Sequence, residues 1–110
     1  MFILYPDFEK IEMRVGVIME VDAFLKAKKP AYKLKVDFGQ LGIKKSSAQI
    51  TVNYTKEELI GKQVIAVVNF PPKQIADFIS EVLVLGVNDE KGNVVLLQPQ
   101  KNVKMGERVY

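Results

Sequence analysis

The chain has 110 residues, of which 48% are hydrophobic and 26% are charged, and its net charge is +3 at pH 7. This composition is ordinary for a folded globular protein and excludes the disordered and fibrous classes, while the length predicts one domain over residues 1–110 with enough apolar surface for a core. Cysteine and histidine are both absent, which excludes disulfide bonds, thiolate metal sites and the usual proton shuttle of enzymes.

The N-terminal residues, MFILYPDF, are apolar, but they lack the basic start of a signal peptide and Pro6-Asp7 interrupts them early. No later apolar run is long enough to span a membrane. We therefore expect a cytoplasmic protein that does not insert into a membrane.

Three strands are predicted in the first half of the chain. Residues 13–21, MRVGVIMEV, are rich in β-branched side chains, and Gly16 within them is typical of a bulge or a sharp barrel bend. Residues 32–38, YKLKVDF, alternate between apolar and charged side chains, which predicts a half-buried strand. The segment IKKSS, residues 43–47, is the third candidate.

A short helix is predicted after the third strand. Thr55 is a candidate N-cap, Glu58 follows three residues later as in a capping box, and Gly61 can end the helix. A further turn of helix before it is a candidate within SSAQITVNY, residues 46–54.

Three later apolar runs have the length of strands: VIAVVNF (64–70), VLVLGV (82–87) and VVLLQ (94–98). The sequence NDEKGN between the last two has the composition of a hairpin turn. Short strands with one helix after the third predict an all-β fold, a five-stranded Greek-key barrel of the OB type. The expected core residues are Tyr32, Leu34, Val36, Val64, Ala66, Val68, Leu83 and Leu85.

Residues 69–82, NFPPKQIADFISEV, interrupt the strand pattern. Because proline cannot continue a hydrogen-bonded ladder, Pro71-Pro72 is expected to end the fourth strand at Phe70. The segment then has to cross the barrel mouth as a loop, so it is predicted to form one wall of a site. Phe70 and Phe78 would give that wall apolar surface, or would instead plug the barrel end as core residues.

Positive charge is concentrated between Lys26 and Lys45, where seven lysines accompany the single Asp37. Such a stretch suits an acidic or polyanionic partner, although lysines on a strand are usually solvated surface. OB-fold barrels bind ligands on the face of their second and third strands. The alternation of residues 32–38 places Lys33 and Lys35 on the solvent side of that face.

The sequence does not indicate an enzyme. Without histidine the serines have no base other than a lysine, and adjacent residues such as Lys45 and Ser46 rarely reach the required geometry. Neither GxxxxGK[ST] nor GxGxxG occurs, so no phosphate-binding loop is predicted. We expect a binding protein without catalytic activity, cofactor or metal.

Six segments that cover nearly the whole chain are EMRVGVI (12–18), AYKLKVDFG (31–39), KKSSAQIT (44–51), GKQVIAVVNFPPKQI (61–75), SEVLVLG (80–86) and VVLLQP (94–99). Together they resemble the tRNA-binding OB-fold domain family. Members of that family occur as free-standing dimers, at the ends of some aminoacyl-tRNA synthetases, and as the export-related chaperone CsaA. SSAQIT, VNFPP and SEVLVLG are similar to the CsaA branch in particular.

The resemblance implies a non-catalytic homodimer that is joined through N- and C-terminal extensions and has a groove on each subunit. In the chaperone branch this groove binds unfolded preproteins and the export machinery, and in the other branch it binds tRNA. Arg14, Lys33 and Ser80 match the family pattern position by position. The residues expected at the peptide- or tRNA-binding surface are Arg14, Lys33, Lys35, Lys45, Ser47, Gln49, Asn69, Phe70, Lys73, Phe78, Ser80 and Glu81.

The sequence leaves the ligand open between peptide and tRNA. The tRNA-binding members have glycine where this chain has Asp77, and a Ser-Gln-Gly-Met run where it has Ser80-Glu81-Val82-Leu83. Both differences add acid near a surface that would have to meet phosphate, which favours a peptide, whereas the lysines favour tRNA. Single-stranded nucleic acid ranks third, because the lysine-bearing face of residues 32–38 carries no aromatic residue on which bases could stack.

Overall fold

The computed structural model describes residues 1–110, which form nine strands, most of them short, and little helix. The helical elements are α1 Tyr5–Glu9, a 3₁₀ turn at Gly39–Leu41 and α2 Lys56–Leu59. The strands are β1 Met13–Ala23, β2 Tyr32–Asp37, β3 Ile43–Ala48, β4 Gln63–Val67, β5 Lys73–Ile75, β6 Phe78–Ser80, β7 Leu83–Val84, β8 Gly86–Asn88 and β9 Val94–Leu96.

Five strands form one antiparallel sheet in the order β3-β2-β1-β4-β7. The sheet curls until its two edges meet. At the meeting point the N–H of Glu81, just before β7, donates to the carbonyl of Lys45 in β3 at 2.7 Å. The hairpins β5–β6 and β8–β9 lie outside this sheet. The predicted five-stranded OB-fold barrel, with a short helix after its third strand, is confirmed.

The core lies inside the barrel. Leu34, Val36 and Phe38 are almost completely buried, as the alternation of β2 predicts. The prediction of Leu83 as core is wrong, since its exposed fraction is 49% and the neighbouring Val82 is buried instead. Successive side chains of a strand point to opposite faces, and in this run Val82 and Val84, not Leu83, pack against the core.

Gly16 is required by close packing and not by a bulge. The register of β1 against β2 shifts between Ile18 and Glu20, two residues further along. A Cβ atom on Gly16 would lie 2.6 Å from Cγ1 of Val36 and 2.7 Å from Cε1 of Phe38. Glycine therefore lets the core side chains of β2 approach the backbone of β1.

Two predicted boundaries are wrong. β4 ends at Val67 and not at Phe70, although the N–H of Val68 still donates to the carbonyl of Glu12, just before β1, at 2.9 Å. The helical turn expected within residues 46–54 is absent. That segment begins as the end of β3 and continues as a turn at residues 51–53.

The two ends of the chain meet beside β1. Helix α1 was not predicted; it begins with Pro6 in its first turn, and the Asp7 carboxylate accepts a hydrogen bond from the N–H of Leu4 at 3.1 Å. The C-terminal segment pairs with the start of β1, where the N–H of Val15 donates to the carbonyl of Glu107 at 2.9 Å. None of the helices has the length and apolar character needed to cross a membrane.

Candidate binding groove

The β5–β6 hairpin, residues 73–80, stands beside the outer face of β2 and β3. Its turn is Ala76-Asp77, and Ala76 has the left-handed φ of 53°. Residues 69–82 were predicted as loop, and the hairpin within them was missed because Ala-Asp is not one of the glycine-containing pairs that identify tight hairpins.

Polar side chains at the end of the hairpin attach it to β3. The Ser80 hydroxyl accepts a hydrogen bond from the N–H of Ser47 at 3.3 Å, and the Glu81 carboxylate accepts one from the N–H of Lys45 at 3.0 Å. These two backbone donors lie on the free edge of β3, where the sheet supplies no partner. Ser80 and Glu81 thus satisfy the barrel edge and fix the position of the hairpin.

Two lysines and two phenylalanines form a cluster beside the turn of the hairpin. The rings of Phe24 and Phe78 meet edge to face, with their centres 5.4 Å apart. The Lys33 ammonium lies 5.7 Å from the Phe24 ring centre and 5.9 Å from that of Phe78, and the Lys45 ammonium lies 5.4 Å from the Phe78 centre. Neither ammonium has a carboxylate within 4.0 Å. The aromatic rings therefore hold two cations that remain free to meet an anionic group.

An ion pair joins the hairpin turn to the loop between β1 and β2. The ammonium of Lys26 lies 3.0 Å from the carboxylate of Asp77. The hydrogen bond from Lys26 holds the pKa of Asp77 below its ordinary value, and the charges of Lys26 and Lys33 act in the same direction. Asp77 is therefore ionised at neutral pH and neutralises one of the basic side chains around the hairpin.

Two concave regions flank the hairpin, and both are bounded by Ser47, Gln49 and Ile75. We call them together the hairpin groove. The larger region has a volume of about 630 Å³ and is also lined by Phe70, Pro71, Lys73, Ser80, Glu81, Val82 and Leu83. The smaller, of about 410 Å³, is also lined by Phe24, Lys26, Ala27, Lys28, Lys29, Ala31 and Ala76.

The structure brings most of the predicted site residues to this groove. Those that line it are Ser47, Gln49, Phe70, Lys73, Ser80 and Glu81, and those in the adjoining cluster with Phe24 are Lys33, Lys45 and Phe78. Lys35 shares the outer face of β2 but pairs with Glu20 of β1 at 3.1 Å. The sequence left open whether Phe70 and Phe78 form an exposed wall or are buried. Phe70 is exposed, whereas Phe78 is half-buried against Phe24.

Arg14 and Asn69 lie away from the groove and hold the chain ends. The Arg14 guanidinium donates to the Glu12 carboxylate at 2.9 Å and to the Gly106 carbonyl at 3.0 Å. Lys33 pairs with Asp22 of β1, which is eight residues, or roughly 25 Å of strand, from Arg14. The Asn69 amide donates to the carbonyl of Lys10 at 2.7 Å and accepts from the N–H of Glu12 at 3.0 Å.

Among the groove residues that were not predicted as site residues, Phe24 and Lys26 make side-chain contacts with the hairpin. Both lie in the loop that follows β1, and Phe24 is buried against the hairpin. The available signal was an aromatic residue immediately before the lysine-rich stretch. Its significance depends on a contact with Phe78, 54 residues later in the chain.

Comparison with known proteins agrees with this geometry. Residues 13–108 match the family model described as a putative tRNA-binding domain. The chain is 34% identical over 108 residues to the methionine–tRNA ligase of Methanococcoides burtonii, a match that covers 98% of this chain and 16% of the ligase. The chain therefore spans about one sixth of the length of that relative.

Two solved structures are similar over their full length. The CsaA chaperone protein from Picrophilus torridus is 59% identical with a TM-score of 0.92, and the match covers 99% of this chain and 100% of that one. The chaperone CsaA from Bacillus anthracis is 48% identical with a TM-score of 0.94, and the match covers both chains completely.

Proposed function

This chain belongs to the family of putative tRNA-binding domains, and we propose that it acts, as one domain over residues 1–110, as a non-catalytic CsaA-like export chaperone. Its ligand is an unfolded preprotein segment, bound in the hairpin groove. The observation that carries the proposal is the composition of that groove, in which exposed apolar side chains surround polar ones, and free lysines lie beside it. The similarity to two CsaA chaperones along the whole chain supports a chaperone role.

The groove suits an extended peptide. Phe70, Ile75 and Leu83 offer apolar surface to side chains, and the exposed fractions of Phe70 and Leu83 are 54% and 49%. Ser47 and Gln49 lie where the two concave regions meet, so they can exchange hydrogen bonds with a peptide backbone that passes from one region to the other. Apolar walls with a few polar groups that fix the orientation of the ligand are typical of binding clefts.

The charges at the groove also suit a peptide. Lys33 and Lys45 can receive acidic side chains of a ligand, because no carboxylate of the protein pairs with them. Glu81 and Asp77 place negative charge at the same groove, and a polyphosphate backbone would be repelled by it. A preprotein segment of mixed charge can satisfy both signs.

We propose further that the protein is a cytoplasmic homodimer, joined through its terminal segments, that presents two grooves to one preprotein and delivers it to the export machinery. Residues 1–5, MFILY, form a continuous exposed apolar segment, which is typical of a protein interface. Two linked grooves would raise the affinity for a long chain through avidity. Light scattering on the purified protein tests the dimer: a mass of two chains agrees with it, and a mass of one chain contradicts it.

Binding of tRNA is the second candidate function. The family match favours it, and the free ammonium groups of Lys33 and Lys45 favour it as well. Exposed Lys28, Lys29 and Lys73 extend the positive charge along both sides of the hairpin. Under this alternative the apolar wall would have no direct role in binding.

The experiment that tests the peptide proposal replaces the apolar wall and leaves the charge unchanged. Phe70→Ser and Leu83→Ser are each expected to weaken binding of a labelled unfolded preprotein segment about five- to tenfold, as for a central interface residue. Val52→Ser is the matched control, because Val52 is 71% exposed and lines neither region of the groove. Equal affinity for wild type and all three variants would contradict the proposal.

A further inference from the structure

We infer that Asp77 determines the ligand specificity of the hairpin groove: by occupying Lys26 it denies a nucleic-acid backbone one of its cationic contacts and so favours peptide over RNA. The inference rests on the proposed function, because it concerns the choice of ligand at the same groove.

The distribution of ion pairs singles out Lys26. The protein contains four ion pairs, and the pair of Lys26 with Asp77 is the one that involves a residue lining the groove. Lys28, Lys29 and Lys73 line the groove without a carboxylate partner. Asp77 thus neutralises one of the four lysines that line the groove and leaves the other three unpaired.

The structure does not need the Asp77 carboxylate to place the hairpin. Ser80 and Glu81 bond the end of the hairpin to β3, and the Phe78 ring packs on Phe24. The side chains of Lys26 and Asp77 are 70% and 56% exposed, and a surface pair of this kind contributes little to stability. The role left to Asp77 at this position is electrostatic.

A phosphate group that approaches Lys26 has to displace the carboxylate and is repelled by it. Asp77 also lies close enough to Lys33 for the lysine charge to act on it. Each lysine–phosphate contact steepens the fall of log K with log salt by about 0.9. A lysine that is already neutralised by Asp77 makes no such contact, so the fall is less steep. A peptide gains less from the same contact because its charge is lower and mixed.

The test is a titration of bulk tRNA and of a labelled unfolded preprotein segment against Asp77→Asn, from 50 to 200 mM salt. Freeing Lys26 is expected to raise tRNA affinity about five- to tenfold at 0.1 M salt and to steepen the salt slope by about one. Peptide affinity is expected to stay within about twofold. Thermal unfolding of the variant checks that the fold is kept.

Two further variants separate this effect from net charge. Asp7→Asn removes an aspartate that also pairs with a lysine, Lys10 at 3.5 Å, but lies on α1 away from the groove. It is expected to change tRNA affinity less than twofold. The double variant Lys26→Ala with Asp77→Asn has the net charge of the wild type and is expected to return tRNA affinity to the wild-type value.

Three results would overturn the inference: no gain in tRNA affinity with Asp77→Asn, an equal gain with Asp7→Asn, or a gain that persists without Lys26. The proposed function fails separately, if the wild-type protein does not bind the preprotein segment. In that case a gain in tRNA affinity that depends on Lys26 would still establish Asp77 as a filter against RNA.

Discussion

Lys45 and Glu81 are bonded to each other in both directions: the Glu81 N–H donates to the Lys45 carbonyl at 2.7 Å, and the Lys45 N–H donates to the Glu81 carboxylate at 3.0 Å. These bonds join the edge of β3 to the chain just before β7, which is the closure of the barrel. They also fix the backbone of the residue whose ammonium lies over the Phe78 ring. Closure of the fold and placement of a groove cation therefore depend on one pair of residues.

Glu81→Ala is expected to lower the free energy of unfolding by about 1–3 kcal/mol, because the half-buried N–H of Lys45 loses a charged acceptor. Glu81→Gln keeps an acceptor and is expected to lose less. Urea unfolding measures both variants. Glu20→Ala is the control, since Glu20 forms an exposed pair with Lys35 whose loss is expected to change stability by about 0.5 kcal/mol or less. Equal losses for Glu81→Ala and Glu20→Ala would show that the Glu81 side chain does not help to hold the barrel closed.

Phe78→Ala is expected to weaken preprotein binding about tenfold, because Lys45 loses the ring that holds its ammonium group and Lys33 loses one of its two rings. Phe78→Leu keeps apolar volume without an aromatic face and is expected to show an intermediate loss. Fluorescence anisotropy with a labelled segment measures the affinities. Wild-type affinity in Phe78→Leu would mean that the ring contributes packing alone.

Gly16→Ala is expected to destabilise the protein by about 1–3 kcal/mol, because the added methyl group would overlap Val36 and Phe38 in a packed core. Denaturant unfolding of the variant gives this value directly. A second substitution, Val36→Ala, should recover part of the loss if the overlap with Val36 is its cause, although it removes apolar volume of its own. A loss below about 0.5 kcal/mol for Gly16→Ala would indicate that β1 can move away from β2 at this position.

Asp89 gives the stability of the protein a dependence on pH. Hydrogen bonds from the Asn53 amide at 3.0 Å and from the N–H of Asn93 at 2.9 Å hold the pKa of Asp89 below its ordinary value of 3.8. Since the folded state favours the ionised form, this contribution is complete above the ordinary pKa and is lost as the pH falls through the lowered one. Urea unfolding of wild type and Asp89→Asn should give a stability difference that shrinks below about pH 4. A difference that stays constant down to pH 2 would contradict this account of Asp89.

Patterns local in sequence predicted the barrel well, because the alternation of β2 and the capping box of α2 report directly on burial and on hydrogen bonding within a few residues. The same reasoning could not find the β5–β6 hairpin, since Ala76 adopts a left-handed conformation without being glycine. It could not find the contact of Phe24 with Phe78 either, which exists only after the barrel has closed. Arg14 and Asn69 are polar side chains of the kind that binding surfaces use, and the fold employs them to hold its two ends.

A paired titration of the wild-type protein with bulk tRNA and with an unfolded preprotein segment, each across a salt series, decides which ligand the hairpin groove selects. We expect tight binding of the preprotein segment with little dependence on salt, competition by unlabelled segment, and loss of that binding in Phe70→Ser. Binding of tRNA is expected to be weaker and to fall steeply with salt. Tight tRNA binding that loses about one unit of salt slope in Lys33→Ala or Lys45→Ala, together with weak binding of the segment, would contradict the chaperone proposal and establish the groove as an RNA site.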